Sequence, residues 1–203
     1  MPAFSETLTV ICTLGGQFKV TRNGDTRLGR RISVPAAKAG SVFSNDATDT
    51  VITLAQGHGI TTDHKAGVFW AAGQRIDMTV SAVSSTTITV TNATGVGTAM
   101  PAAATACTVG VRVQETDVTF LATCMQMLLI AADEGSAPFQ IGVNFADDAD
   151  ASLLHVATAG GEAYPWAANV GPANPITGIV SKMNCYNGSI LAATEVVIGV
   201  LIT

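Results

Sequence analysis

The chain has 203 residues, 48% hydrophobic and only 12% charged, with a net charge of −5 and a mean hydropathy of +0.40. That length holds one large β domain or two small ones, and the apolar content suffices for a real core. No apolar run approaches the ~18 residues of a membrane span; MPAFSETLTV has neither the basic nor the apolar region of a secretory signal; and Cys12, Cys107, Cys124 and Cys185 are too scattered for a CxxC-type metal site or a disulfide scaffold.

The elements, taken in chain order, read as strands. Residues 5–14 (SETLTVICTL) alternate apolar and polar, and Gly15-Gly16 breaks the pattern. QFKVT at 17–21 is a second strand, and Asn23-Gly24 is a strong hairpin signal that predicts a return over Thr26–Val34. Residues 36–50 (AAKAGSVFSNDATDT) read as loop. A compact unit then runs through 51–55, 67–71, 74–83, 86–91 and 105–113. Short strands and tight turns over about 60 residues predict a small barrel or curled sheet. Its expected core is Val51, Ile60, Phe69, Trp70, Ile76, Met78, Val80, Ile88 and Val90.

Past Glu115 the texture shifts. Asp117–Thr123, Met125–Ala131, Phe139–Phe145, Leu153–Thr158, Gly178–Cys185 and Glu195–Thr203 are strand candidates, the last two on either side of Asn187-Gly188. Periodicity alone leaves MQMLLIAA at 125–132 open to a buried helix. Residues 162–177 hold Pro165, Pro172 and Pro175 and read as a long ordered loop carrying Tyr164 and Trp166. The expected architecture is all-β with two packed units: an N-terminal strand, hairpin and basic arm over 1–49, a barrel-like module over 50–113, and a sandwich-like unit over 114–203.

Catalytic patterns are weak. His58 and His64 flank Asp63 without an evident third ligand, so they read as loop histidines. Asp147, Asp148 and Asp150 lack EF-hand spacing and read as a solvated turn. Neither a GxSxG elbow nor a phosphate loop is present. The expectation is no enzymatic activity, no cofactor and no resident metal. The four cysteines read as buried free thiols.

Charge is uneven: residues 1–40 carry six basic and two acidic groups, and residues 41–203 carry four and thirteen. This favours contact with an acidic partner surface or between copies, with a solvated hairpin as the plain alternative. The contact candidates are Arg22, Arg27, Arg30 and Arg31 on the basic arm, Phe43 beyond it, and Tyr164 and Trp166 in the Pro-fixed loop. Trp166 has a second reading, as a plug at the end of its own sandwich. Nucleic acid fits poorly, because the basic stretch is short and carries little aromatic interleaving.

The run Leu54–Val111 resembles a small β module of tailed-bacteriophage structural proteins. The resemblance rests on Gly57-His58-Gly59-Ile60, Val68-Phe69-Trp70, Gly73-Gln74-Arg75, the Thr-rich hairpin around Ser84-Ser85, and Gly95–Pro101. It departs at Asp63-His64-Lys65, where a Gly-bearing turn is expected, and it implies no active-site residues. It implies a virion location, made in the host cytoplasm and favouring the capsid surface. The implied role is decoration or cement protein, a homo-oligomer with a trimer favoured, binding the major capsid protein or other virion subunits. The alternatives are a tail tube or fibre-base component and a carbohydrate-binding or adhesive β domain.

Overall fold

A computed structural model of the protein describes residues 4–11, 17–24, 26–116, 119–132, 141–144, 155–157, 163–170, 173–174, 176, 178–191 and 193–203. Three strands open the chain: β1 (Phe4–Ile11), β2 (Gln17–Gly24) and β3 (Thr26–Val34). Next come β4 (Lys38–Asn45), β5 (Asp49–Leu54), β6 (Lys65–Trp70), β7 (Gly73–Val83), β8 (Thr87–Thr91), β9 (Val96–Gly97) and β10 (Ala106–Val111). The C-terminal part carries β11 (Val113–Glu115), β12 (Phe120–Leu121), β13 (Met125–Ala132), β14 (Ile141–Asn144) and β15 (His155–Ala157). It ends with β16 (Ala163–Ala167), β17 (Ile179–Val180), β18 (Met183–Asn187) and β19 (Thr194–Ile202). The described residues contain no α-helix, and β-branched alternation is the reason.

Strands β6, β10, β4, β5, β8 and β7 pair in that order, and β7 pairs back onto β6, closing an antiparallel barrel. Residues 36–50, read as loop from their Ala, Gly and Ser content, include β4, the strand that bridges β10 and β5. Register shifts in the β4–β5, β6–β7 and β7–β8 pairs bend these strands around so small a circumference. Alternate residues fill the interior: Val42, Ile52, Leu54, Ala66, Val68, Trp70, Met78, Val80, Ile88, Val90, Cys107 and Val109, with Ile60 from a turn. Val51 was expected inside, but the strand's phase turns Thr50, Ile52 and Leu54 inward and leaves Val51 half-buried. Phe69 and Ile76 are buried outside the barrel wall, against Tyr186.

The second unit is a sandwich of two antiparallel sheets, β16-β13-β19-β3 and β11-β18-β14-β15. MQMLLIAA is therefore a strand. Of the predicted strand at 117–123, residues 117–118 lie outside the described residues, and the rest holds β12 followed by a 3₁₀ turn at Ala122–Cys124. The predicted loop at 162–177 contains β16, edge strand of its sheet, where a proline is tolerated. Between the sheets lie Ile32, Val34, Leu128, Ile130, Trp166, Met183, Cys185, Val196, Ile198 and Val200, and the β12–β17 ribbon adds Phe120 and Val180.

The Asn23-Gly24 signal does not make a hairpin. β2 pairs with β1, and β3 pairs along its length with β19. Gly24 serves close packing instead: a Cβ there would stand 2.6 Å from the Ile202 carbonyl and 2.7 Å from Leu201 Cγ. Because β3 belongs to the sandwich and β4 to the barrel, residues 1–40 are not a detachable arm. Deleting them removes a whole sandwich strand.

All five residues of β18 are buried, because this strand is the wall between the units. Met183 and Cys185 face the sandwich core, while Tyr186 packs on Phe69 and Ile76 of the barrel. The Tyr186 hydroxyl donates to Asp77 Oδ1, and Arg112 Nη1 lies 3.4 Å from the same oxygen. Thr108 Oγ1 donates to Gly188 O at 2.6 Å, and Ala37 N–H donates to Ser189 O at 2.7 Å.

Cys107, Cys124 and Cys185 are unbridged. Burial pushes the Cys107 thiol up to about 11 and the Cys185 thiol up to about 12. Burial, then the Asp77 charge, raises Tyr186 well above its ordinary value. Each group keeps its proton in the native state after the unfolded chain has released it. The stability this carries is complete below pH 9 and lost as pH rises, with Cys185 alone giving up to about 1.4 kcal/mol per pH unit between 9 and 12. Urea midpoints should therefore fall steadily above pH 9, and Cys185→Ala should flatten that slope. A flat midpoint to pH 11 in the parent chain contradicts the burial.

Candidate functional site

The basic candidates gather on β3, the edge of its sheet. Arg27 and Arg31 are exposed, and Arg30, one step out of phase, is half-buried. Arg31 Nη1 lies 3.5 Å from Glu195 Oε2 on the neighbouring strand. Arg22 lies in β2, opposite Glu6, and its side chain is outside the described residues. Charge on an edge strand discourages unwanted strand addition by like chains and leaves the edge suited to an acidic partner.

Arg27 and Arg31 border the outer face of the four-stranded sheet. The residues facing away from the core are Arg27, Gly29 and Arg31 of β3, Val197, Gly199 and Leu201 of β19, and Met127 and Leu129 of β13. No Cβ stands over Gly29 or Gly199, which pair with each other, so a shallow channel crosses the sheet between larger apolar side chains. β2 touches β13 and β19, so the β1–β2 hairpin lies over this face. A space of about 130 Å³ is left, lined by Thr7, Arg27, Met127, Leu129, Gly199 and Leu201 among others. Sequence reasoning named the arginines but missed this apolar floor, because the phase of a strand buried on both sides is invisible until its partners are known.

Other candidates stand elsewhere. Phe43 is 69% exposed on the barrel, at the bulge in β4 that throws it outward. Trp166 is 6% exposed and packs in the core of its own sandwich, so it offers a partner no surface, and the plug reading describes it. Tyr164 lies in β16 opposite Ile130, with its side chain outside the described residues. No sequence pattern marks Leu121 and Ile179, which are 50% and 66% exposed and sit opposite each other on the β12–β17 ribbon.

The polar candidates are tied into the fold. His58 Nδ1 accepts the Ile60 N–H at 3.1 Å, so its Nε2–H donates to Ser84 O at 3.1 Å, and the buried ring locks one barrel turn to another. His64 Nδ1 separately accepts the Thr61 N–H at 3.0 Å. Replacing His58 with alanine should cost about 1–3 kcal/mol, because the Ile60 N–H loses its partner. An unchanged thermal midpoint counts against this lock. At the barrel end a hollow of about 210 Å³ is lined by Asn45, Asp46, Arg75 and Asn92 among others. There Arg75 donates to the carbonyls of Asn92, Gly97 and Thr98. Backbone N–H groups of Asp49 and Thr48 hold the Asp46 carboxyl below its usual range. These bonds tie loops together. Asp147, Asp148 and Asp150 lie outside the described residues. Among the described residues no three His, Cys, Asp or Glu side chains come together to hold a metal, and no helix is long and apolar enough to cross a membrane.

Comparison with protein-family models, with curated proteins and with solved structures finds no match to this chain.

Proposed function

We propose that this chain is a non-enzymatic structural protein of a tailed-phage virion, a decoration or cement protein that binds an assembled shell in many copies. The observation that carries the reading is the basic edge of the sandwich: Arg27 and Arg31 stand exposed on β3, the outermost strand of its sheet, on an all-β body joined by a buried wall. Such a surface suits lateral contact with acidic protein surface. The likeness of Leu54–Val111 to phage structural modules supplies the virion context. Each copy binds only the assembled shell and so stabilises it by mass action. Contacts repeated over several subunits multiply the effect through effective concentration.

A second reading, a tail component, is favoured by β16, which ends its sheet on the side away from the charged β3. Edge strands are the usual route to stacked rings.

The test compares shells with and without the purified protein in a thermal DNA-release assay. The protein should raise the release temperature, and Arg27→Glu with Arg31→Glu should weaken shell binding, more so at low salt. Equal release temperatures remove the cement reading, and protein found along the tail promotes the second.

A further inference from the structure

We propose that the cleft at the end of the sandwich, between the start of β13 and the turn after β16, is a binding site for a neutral saccharide, a function beyond contact with a shell. The cleft has a volume of about 470 Å³ and is lined by Thr123, Met125, Gln126, Trp166, Asn169 and Asn174 among others. That volume falls within the roughly 300–1,000 Å³ of small-molecule sites. The space under the hairpin and the hollow at the barrel end, about 130 and 210 Å³, fall short of it.

Two short segments build the cleft. On one side the 3₁₀ turn Ala122–Cys124 leads into Met125 and Gln126 of β13. On the other, the chain leaves β16 in a turn closed by the Val170 N–H on Ala167 O at 3.3 Å. The Ala168 N–H donates to Gln126 O at 2.8 Å, and Asn174 Nδ2 donates to Ala122 O at 2.8 Å, so the two sides are tied together. Asn174 Oδ1 accepts the Ile176 N–H at 3.0 Å, which fixes its amide. Met125 and Trp166 are buried in the sandwich core and close the floor. A cleft braced in this way exists before a ligand arrives, so binding costs little ordering.

The rim selects the class of ligand. None of the described residues that line the cleft is charged, so it holds no counter-charge for an ion. Its polar side chains are the amides of Gln126, Asn169 and Asn174 and the hydroxyl of Thr123. Amides and hydroxyls both donate and accept hydrogen bonds, and so do the hydroxyls of a sugar, whereas a wholly apolar ligand would leave these groups unmatched. Thr123 and Asn169 are exposed, and neither side chain has a hydrogen-bond partner within the protein, so both face an incoming ligand freely. Asn169 stands at φ 61°, a conformation that glycine adopts more easily, and asparagine there keeps an amide on the rim.

The inference stands apart from the virion reading, and its test uses the purified full chain without a shell. Glucose, galactose and N-acetylglucosamine are titrated separately into isotope-labelled protein while its amide resonances are followed. At least one sugar should give saturable shifts at Thr123, Gln126, Asn169 and Asn174, and inorganic phosphate should give none. Two variants remove rim groups that make no bond within the fold. Thr123→Val keeps the shape of its side chain, and Asn169→Gly suits the left-handed backbone. Each should weaken sugar binding about fivefold or more, with the barrel resonances unmoved as the check on folding. Absence of saturable shifts with all three sugars, phosphate binding at the same resonances, or sugar binding indifferent to both variants overturns the proposal. A failed shell assay leaves these results untouched.

Discussion

Asp77→Ala should lower the unfolding free energy by about 3–5 kcal/mol, read as a fall in urea midpoint at constant slope. Asp77 is fully buried, and its Oδ1 receives both the Tyr186 hydroxyl and, at 3.4 Å, the Arg112 guanidinium. Removing the carboxylate takes the Asp77 counter-charge from a guanidinium whose side chain is only 19% exposed, and takes from the buried Tyr186 hydroxyl the acceptor it donates to. The backbone sharpens the test, because Asp77 sits at φ 61°, a conformation alanine tolerates less well than aspartate or asparagine. Asp77→Asn keeps the shape and the backbone preference but loses the charge, so it should fall between parent and alanine. Tyr186→Phe removes one hydrogen bond and no charge, and should cost least. Equal effects for Asp77→Ala and Asp77→Asn would mean that the charge alone is what the site provides, and an Asp77→Asn chain as stable as the parent would mean that the charge provides nothing.

The junction is also where sequence reading stopped. Barrel strands β7 and β8 were legible because period two alone places Met78, Val80, Ile88 and Val90 on one face, whereas in β5 the phase was misread, with Val51 taken as inward where Ile52 is. The segment 36–50 was misread because Ala, Gly and Ser carry little β preference, and β4 exists only because β5 and β10 flank it. Asn23-Gly24 was misread for a related reason. The dipeptide favours a tight turn locally, but Gly24 is required by the Leu201 side chain and Ile202 carbonyl far along the chain. The Asp77, Arg112 and Tyr186 cluster joins residues with no spacing pattern, so only the folded chain brings them together. For the candidate surface, composition pointed to Arg27 and Arg31, since charge is local. The apolar floor and the burial of Trp166 depend on which sheet covers which.

Gly110→Ala should be as damaging as Asp77→Ala for a purely steric reason. A Cβ on Gly110 would stand 2.2 Å from the Asn187 carbonyl oxygen, a backbone atom in the fully buried strand β18. No side chain can rotate away, so β10 and β18 must separate by roughly an ångström, the scale at which dispersion contacts are forfeited. The Thr108–Gly188 hydrogen bond of 2.6 Å and the Phe69, Ile76 and Tyr186 contact lie on the same seam. Overpacking typically costs 1–3 kcal/mol, and adding the loss of seam contacts brings the expectation to about 3 kcal/mol or more. The form of the loss is as telling as its size. The barrel interior and the sandwich core are separate clusters, and the seam makes them unfold together. Opening it should split a single calorimetric transition into two, with the van't Hoff enthalpy falling below the calorimetric value. Gly110→Ala that keeps one transition at the parent midpoint would place β18 away from the barrel wall. It would also show that barrel and sandwich are coupled through other contacts than this seam, whereas a split transition makes the seam what holds Phe43 on the barrel in a fixed relation to Arg27 and Arg31 on the sandwich.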